Sequence, residues 1–186
     1  MIDLEQVGDR PKEECGVVGL YTPSEEAARV AFFALFALQH RGQESAGIAV
    51  SDGSQVRMHK DMGLVAQVFN EEILHTLPGN LAVGHNRYST TGSSVLRNAQ
   101  PIYCQSLVGE IAVAHNGNLI NARELRAELE AEGEHFEGTN DSEVIARLMV
   151  RNLHRGAEHA VAAVMERIKG AYSVIILTPH MVIGFR

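Results

Sequence analysis

The sequence predicts an α+β fold in which antiparallel sheets carry helices on their outer faces. Two observations lead there. Asp52-Gly53 lies between two strand-like apolar runs, a strong short-range signal for a β-hairpin. Elements of one type also come in runs, strands early and helices late, whereas a doubly wound parallel sheet alternates them.

Taken in order, "CGVVGLY" (15–21) reads as a short buried strand. "PSEEAARVAFFALFALQHRG" (23–42) reads as a helix: Ser24 can cap it, Glu25 and Glu26 suit its positive end, and Gly42 follows its last turn. That segment is apolar nearly all round from Ala27 to Leu38, so it is expected to be sandwiched and not laid on the surface. "SAGIAVSDGSQVRMHKD" (45–61) is the hairpin. "GNLAVGHNRYST" (79–90) and "GEIAVAHNGNLI" (109–120) are strands that run from apolar residues into polar, glycine-containing ends. "NARELRAELEAEG" (121–133) predicts a helix with Asn121 as cap, Glu124 at the capping-box position and Gly133 past its end. "NDSEVIARLMVRNLHRG" (140–156) and "AEHAVAAVMERIKG" (157–170) predict two more helices. "AYSVIILT" (171–178), a Pro179-His180 turn and the strand-like "MVIGFR" (181–186) follow. With neither a helix stop nor a polar tail after Arg186, the chain is expected to be incomplete at its C-terminus.

At 186 residues the chain fits one domain and can bury a sizeable core without staples. Its net charge is −7, from 16 basic against 23 acidic side chains, so it has no basic field to hold nucleic acid or an anionic membrane. No apolar run reaches the ~20 residues of a membrane span. Residues 1–14, "MIDLEQVGDRPKEE", carry five acids and two bases and no apolar stretch, so they are not a secretory signal. Two cysteines without a framework spacing point to a reducing compartment, the cytoplasm. No Cys-x-x-Cys, His-x-x-x-His or clustered carboxylates offer a metal site.

Cys15 is the first candidate for chemistry. By itself it reads as a buried structural thiol, but polar clusters stand at several element ends: 39–43, 84–90, 115–118 and 140–143. A nucleophilic thiol needs a base, and His40, His85 or His115 could serve. A second solution exists if the chain begins at Cys15. The freed α-amine has a reference pKa of about 7.7–8.0, near working pH, and is tethered to the same residue as the thiol. A short polar leader would then mask the amine until it is removed. Read separately, "HNGN" is an Asn-Gly turn, Arg87 a surface ion pair and Asp141 a helix cap.

Five motifs in order, "CGVVGLY", "LQHRGQESAGIAV", "GHNRYSTTG" with "NAQP", "AHNGNL" and "DSEVIA", resemble the class II glutamine amidotransferases. These are N-terminal-nucleophile hydrolases built as a four-layer αββα sandwich of two antiparallel sheets. The Gln-His-Arg-Gly-Gln form and Asn-Ala-Gln-Pro are most similar to the glutaminase domain of the phosphoribosylpyrophosphate amidotransferases, which open purine biosynthesis. The glucosamine-phosphate synthase branch usually shows Arg-Gly-Tyr-Asp at the first motif. A non-catalytic glutamine-binding module is the rival from another class.

The resemblance implies that residues 1–14 are a propeptide and that 15–186 form the glutaminase domain. Cys15 would attack the glutamine side-chain amide with its own α-amine as acid and base. Asn116 and Gly117 would form the oxyanion hole, Arg87 would clamp the α-carboxylate and Asp141 would take the α-ammonium. Gly42 would allow close backbone approach to the substrate, and Thr90 would line the pocket. The implied partners are L-glutamine and, in a phosphoribosyltransferase domain absent from this chain, phosphoribosyl pyrophosphate with Mg²⁺. Full-length members are expected to be homo-oligomers. Some carry a [4Fe–4S] cluster, whose ligands lie in later parts of the chain; Cys104 is not at one of those positions and reads as a free thiol.

Overall fold

The structure, a computed structural model, describes residues 15–88, 95–106 and 109–186. Eight strands make two four-stranded antiparallel sheets. The first contains β1 (Gly16–Tyr21), β2 (Ser45–Ser51), β3 (Val56–Met62) and β4 (Leu81–Arg87) in the order β1-β4-β2-β3. The second contains β5 (Ile102–Ser106), β6 (Gly109–Leu119), β7 (Gly170–Leu177) and β8 (Val182–Phe185) in sequence order.

The period-2 pattern of the strands sends alternate side chains into different layers. Ala46, Ile48 and Val50 of β2 face α1 (Ala27–Ala37) and the short helices α2 (Val65–Val68) and α3 (Glu71–His75). Ala49 between them faces the other sheet. On β6, Ile111 and Val113 pack against α4 (Ala122–Ala131), α5 (Ser142–Asn152) and α6 (Ala157–Arg167), while Ala112 and Ala114 face inward. Small inward residues bring β1 and β4 against β6 and β7. The result is the expected four-layer αββα sandwich, with strand ends from both sheets meeting at one place.

Several local expectations give way to longer-range contacts. α1 begins at Ala27, not after Ser24. Ser24 offers only its carbonyl, to the Thr22 hydroxyl, and the first turn of α1 is tied by Ala27 N–H to Gly79 O at 3.1 Å. Nor is α1 sandwiched: Ala28, Ala31 and Leu35 are buried on the sheet, but Val30, Phe33 and Phe36 are 44%, 62% and 54% exposed. Asn121 occupies the cap position of α4, yet its side chain makes no cap bond. It accepts from Lys169 N–H (2.9 Å) and donates to Arg167 O (2.8 Å), fastening α4 to the start of β7. The hairpin turn is four residues, 52–55. Gly53 takes a positive φ there, and Asp52 Oδ1 accepts from Ser54 N–H (2.9 Å) and Gln55 N–H (3.2 Å).

Candidate active site

Antiparallel pairing places Gly16 opposite Asn86, so Cys15, at the foot of β1, lies beside the end of β4. Tyr88 N–H donates to the Cys15 sulfur at 3.4 Å, and the thiol reaches Tyr88 O at the same distance. Arg41 Nε donates to Cys15 O at 3.4 Å. Burial pushes the Cys15 thiol above its ordinary pKa, more than the Tyr88 amide and the Arg87 charge pull it down. As it stands the thiol is protonated at neutral pH, and a nucleophilic role requires a base.

The histidines are engaged elsewhere. His40, exposed, turns Nδ1 to Ala37 O (3.2 Å). His85, fully buried, donates Nε2–H to His115 O (3.1 Å), and burial lowers its pKa to about 3, so it is neutral. His115 Nδ1 sits 3.2 Å from Ser142 Oγ and 3.5 Å from Asp141 Oδ1.

Gly42 sits at the end of the turn that follows α1. Asn86 of β4 donates Nδ2–H to Leu35 O (2.7 Å), one of the carbonyls that the end of α1 leaves open, and so fixes that turn against β4. The approach is close: a Cβ on Gly42 would stand 2.7 Å from the carbonyl carbons of Asn86 and Arg87. The close approach that Gly42 makes in the structure is thus to β4. Arg87 closes β4, is 3% exposed and lies 3.8 Å from Glu44 Oε2, so it is a buried cation and not a surface ion pair.

From the second sheet, Asn116 and Gly117 stand near the end of β6. They share with Cys15 a cavity of about 410 Å³, whose remaining wall is Asn118 and the β7 residues Ala171, Tyr172 and Ser173. Gly117 is an extended-strand residue at φ +143°, opposite Tyr172, and a Cβ there would be 2.1 Å from Ala171 O. It is therefore not a turn residue. A neighbouring cavity of about 480 Å³ is lined by Asp141 and shares Asn118 with the first. Asp141 precedes α5 without capping it. Its Oδ2 accepts Leu119 N–H at 2.9 Å, while Asn140 Oδ1 takes Glu143 N–H at 3.1 Å. Thr90 and residues 1–14 lie outside the described residues.

A model of the glutamine amidotransferase domain matches residues 85–183. The chain belongs to the glutamine amidotransferase domain family. It is 54% identical over 180 residues to the amidophosphoribosyltransferase of Synechococcus elongatus, covering 96% of this chain and 36% of that protein. A solved structure of the allosteric regulatory enzyme of purine biosynthesis superposes with a TM-score of 0.81 at 40% identity, covering 88% of this chain and 35% of that one. The B. subtilis glutamine phosphoribosylpyrophosphate amidotransferase, complexed with ADP and GMP, does so at 0.79 and 39%, again over 88% and 35%. The amidotransferase domain described here thus spans about a third of the length of its curated relatives.

Sequence motifs missed three parts of this candidate site: the β7 wall of the cavity, the Tyr88 backbone at the thiol, and the contact between His115 and Asp141. The register of β7 opposite Asn116–Gly117 was the only signal for the first, and it needs the sheet order. Among the described residues there is no group of three or more His, Cys, Asp and Glu side chains that could hold a metal ion. No helix of the described residues is long and apolar enough to cross a membrane.

Asp141 also makes a test of acid stability. Burial pushes its carboxyl up, but the hydrogen bond from His115, with the Leu119 and Asp141 N–H groups, outweighs burial and holds it below its usual value. A folded pKa below the unfolded one adds stability that is complete above about pH 4 and is lost as pH falls through the folded value. Asp141→Asn is therefore expected to be less stable than the parent at pH 7, with a gap that narrows toward pH 3 in urea titrations. A gap constant over that range would contradict this account.

Proposed function

We propose that this chain is the glutaminase part of an amidophosphoribosyltransferase and releases ammonia from glutamine through a Cys15 thioester. The observation that carries the reading is that Cys15 shares one cavity with Asn116 and Gly117, although they come from different sheets. Removal of residues 1–14 would free the Cys15 α-amine to take the thiol proton, a task for which no recorded histidine contact is suited. The thiolate adds to the side-chain amide carbon, and the developing oxyanion is met by Asn116 Nδ2–H and Gly117 N–H. Such donors are each worth about 10²–10³ in rate. Proton return to the amide nitrogen expels ammonia, and water cleaves the thioester to give glutamate and the free thiol.

Arg87 supports binding of the α-carboxylate because a guanidinium fork matches it in shape and charge, and Asp141 supports binding of the α-ammonium. In the length of the relatives that this chain does not span, ammonia would displace pyrophosphate from phosphoribosyl pyrophosphate. That domain would supply the Mg²⁺ site. Two free cysteines agree with a cytoplasmic setting.

The test is the N-terminal residue and intact mass of the purified protein, read beside ammonia release from glutamine. An active protein beginning at Cys15 supports the mechanism. Full activity in a protein that retains Met1 would overturn the α-amine as base.

A further inference from the structure

We infer that His115 is a positioning residue that fixes the Asp141 carboxylate relative to the Asn116 and Gly117 donors, and so places the ammonium end of the substrate. The inference rests on the glutaminase reading above and adds to it a residue with no part in bond making.

Both oxygens of Asp141 are faced by β6. Leu119 N–H donates to Oδ2 at 2.9 Å, and His115 Nδ1 stands 3.5 Å from Oδ1. The two anchors flank Asn116 and Gly117 in the same strand. One stretch of backbone thus sets the spacing between the donors for the amide and the acceptor for the ammonium. The 3.5 Å separation is at the long end for a polar contact.

His115 is itself firmly held. Its N–H donates to Gln100 Oε1 (2.7 Å), and its carbonyl accepts from Gln100 Nε2 (3.2 Å) and His85 Nε2 (3.1 Å). The residue is 2% exposed. Nδ1 also lies 3.2 Å from Ser142 Oγ, which can either donate or accept; the Asp141 carboxylate only accepts, so its contact calls for the proton on Nδ1. Nε2 is then a bare lone pair, and it has no hydrogen-bond partner among the described residues. What a buried imidazole so arranged offers is a fixed N–H.

The experiment compares His115→Leu and His115→Asn with the unsubstituted protein, using intact protein. Leucine removes the Nδ1 donor, whereas the asparagine amide nitrogen falls near its place. Loss of one hydrogen bond to a charged group is expected to raise the KM for glutamine about tenfold in His115→Leu, with kcat changed by less than about threefold. His115→Asn should recover most of that loss. Inhibition by glutaramate, which is glutamine without its α-ammonium, should be the same in all three proteins. An unchanged KM, or kcat falling together with glutaramate affinity, would overturn the inference. Should the leucine variant fail to fold, ¹⁵N shifts of the unsubstituted protein decide: a proton on His115 Nδ1 supports the role and one on Nε2 refutes it. Failure of the unsubstituted protein to release ammonia would instead count against the glutaminase reading, before any variant is made.

Discussion

Cys15→Ala is expected to lose glutamine hydrolysis by on the order of 10⁴–10⁶-fold, the scale seen when a sole nucleophile is removed, while glutamine still binds. The two halves of this expectation have separate physical grounds. No other side chain lining the Cys15 cavity is a thiol, and the hydroxyls there, Tyr172 and Ser173, have no recorded hydrogen bond to a base among the described residues. On the proposed reading binding rests on the charges of Arg87 and Asp141, and alanine at position 15 leaves both in place. The sulfur's recorded hydrogen bonds are two long contacts with the Tyr88 backbone, so its removal costs little of the fold. Ammonia release measured beside calorimetric titration with glutamine tests both halves. Hydrolysis at the parent rate would show that Cys15 is not the nucleophile, whereas a parent that binds glutamine and releases no ammonia would be a non-catalytic glutamine-binding module. Loss of binding together with hydrolysis would make Cys15 a structural thiol.

Gly117→Ala should be among the most damaging single methyl groups in the domain. At φ +143° an alanine is strained by about 1–3 kcal/mol. The new Cβ would also stand 2.1 Å from Ala171 O and 2.7 Å from Tyr172 Cα, both backbone atoms in the paired strand. No rotamer relieves that contact; β6 and β7 must part. Overpacking of this kind adds about 1–3 kcal/mol, so the total expected is about 2–6 kcal/mol, read as a fall in the urea midpoint. Parting the strands also moves the Gly117 N–H, so glutamine turnover should fall by at least the ~10²–10³ of one lost oxyanion donor. A variant of parental stability and parental kcat would show that neither the backbone contact nor the N–H at Gly117 matters.

The α1 segment shows where a pattern read along the chain misleads. An all-round apolar helix predicts burial on every side, yet only the Ala28–Ala31–Leu35 stripe meets the sheet. The pattern states what a helix would tolerate, and what covers it is a matter of neighbours. Cap residues fail for a related reason. Ser24, Asn121 and Asp141 all have side chains suited to capping, but helix caps compete with other acceptors and donors. Asn121 found the Arg167–Lys169 backbone and Asp141 found Leu119 and His115, far away in sequence. β5, within "PIYCQS", and the short α2 and α3 went unforeseen, because four or five residues carry too little periodicity to be read.

By itself the sequence determined antiparallel sheets with helices outside them, the identity of its long elements and the family to which its polar motifs belong, whose resemblance implied the four-layer sandwich. Those rest on local alternation, on hairpin chemistry and on residue types at fixed spacing, all of which are written in neighbouring positions. Only the tertiary structure decided which of those polar residues meet. It placed Cys15 beside Tyr88 and in one cavity with Asn116 and Gly117. It turned Asp141 from a cap into a carboxylate held by β6, and it directed Gly42 against β4. The reason is that a buried polar group must find its partner across the fold, and strand order and register choose which group that partner is.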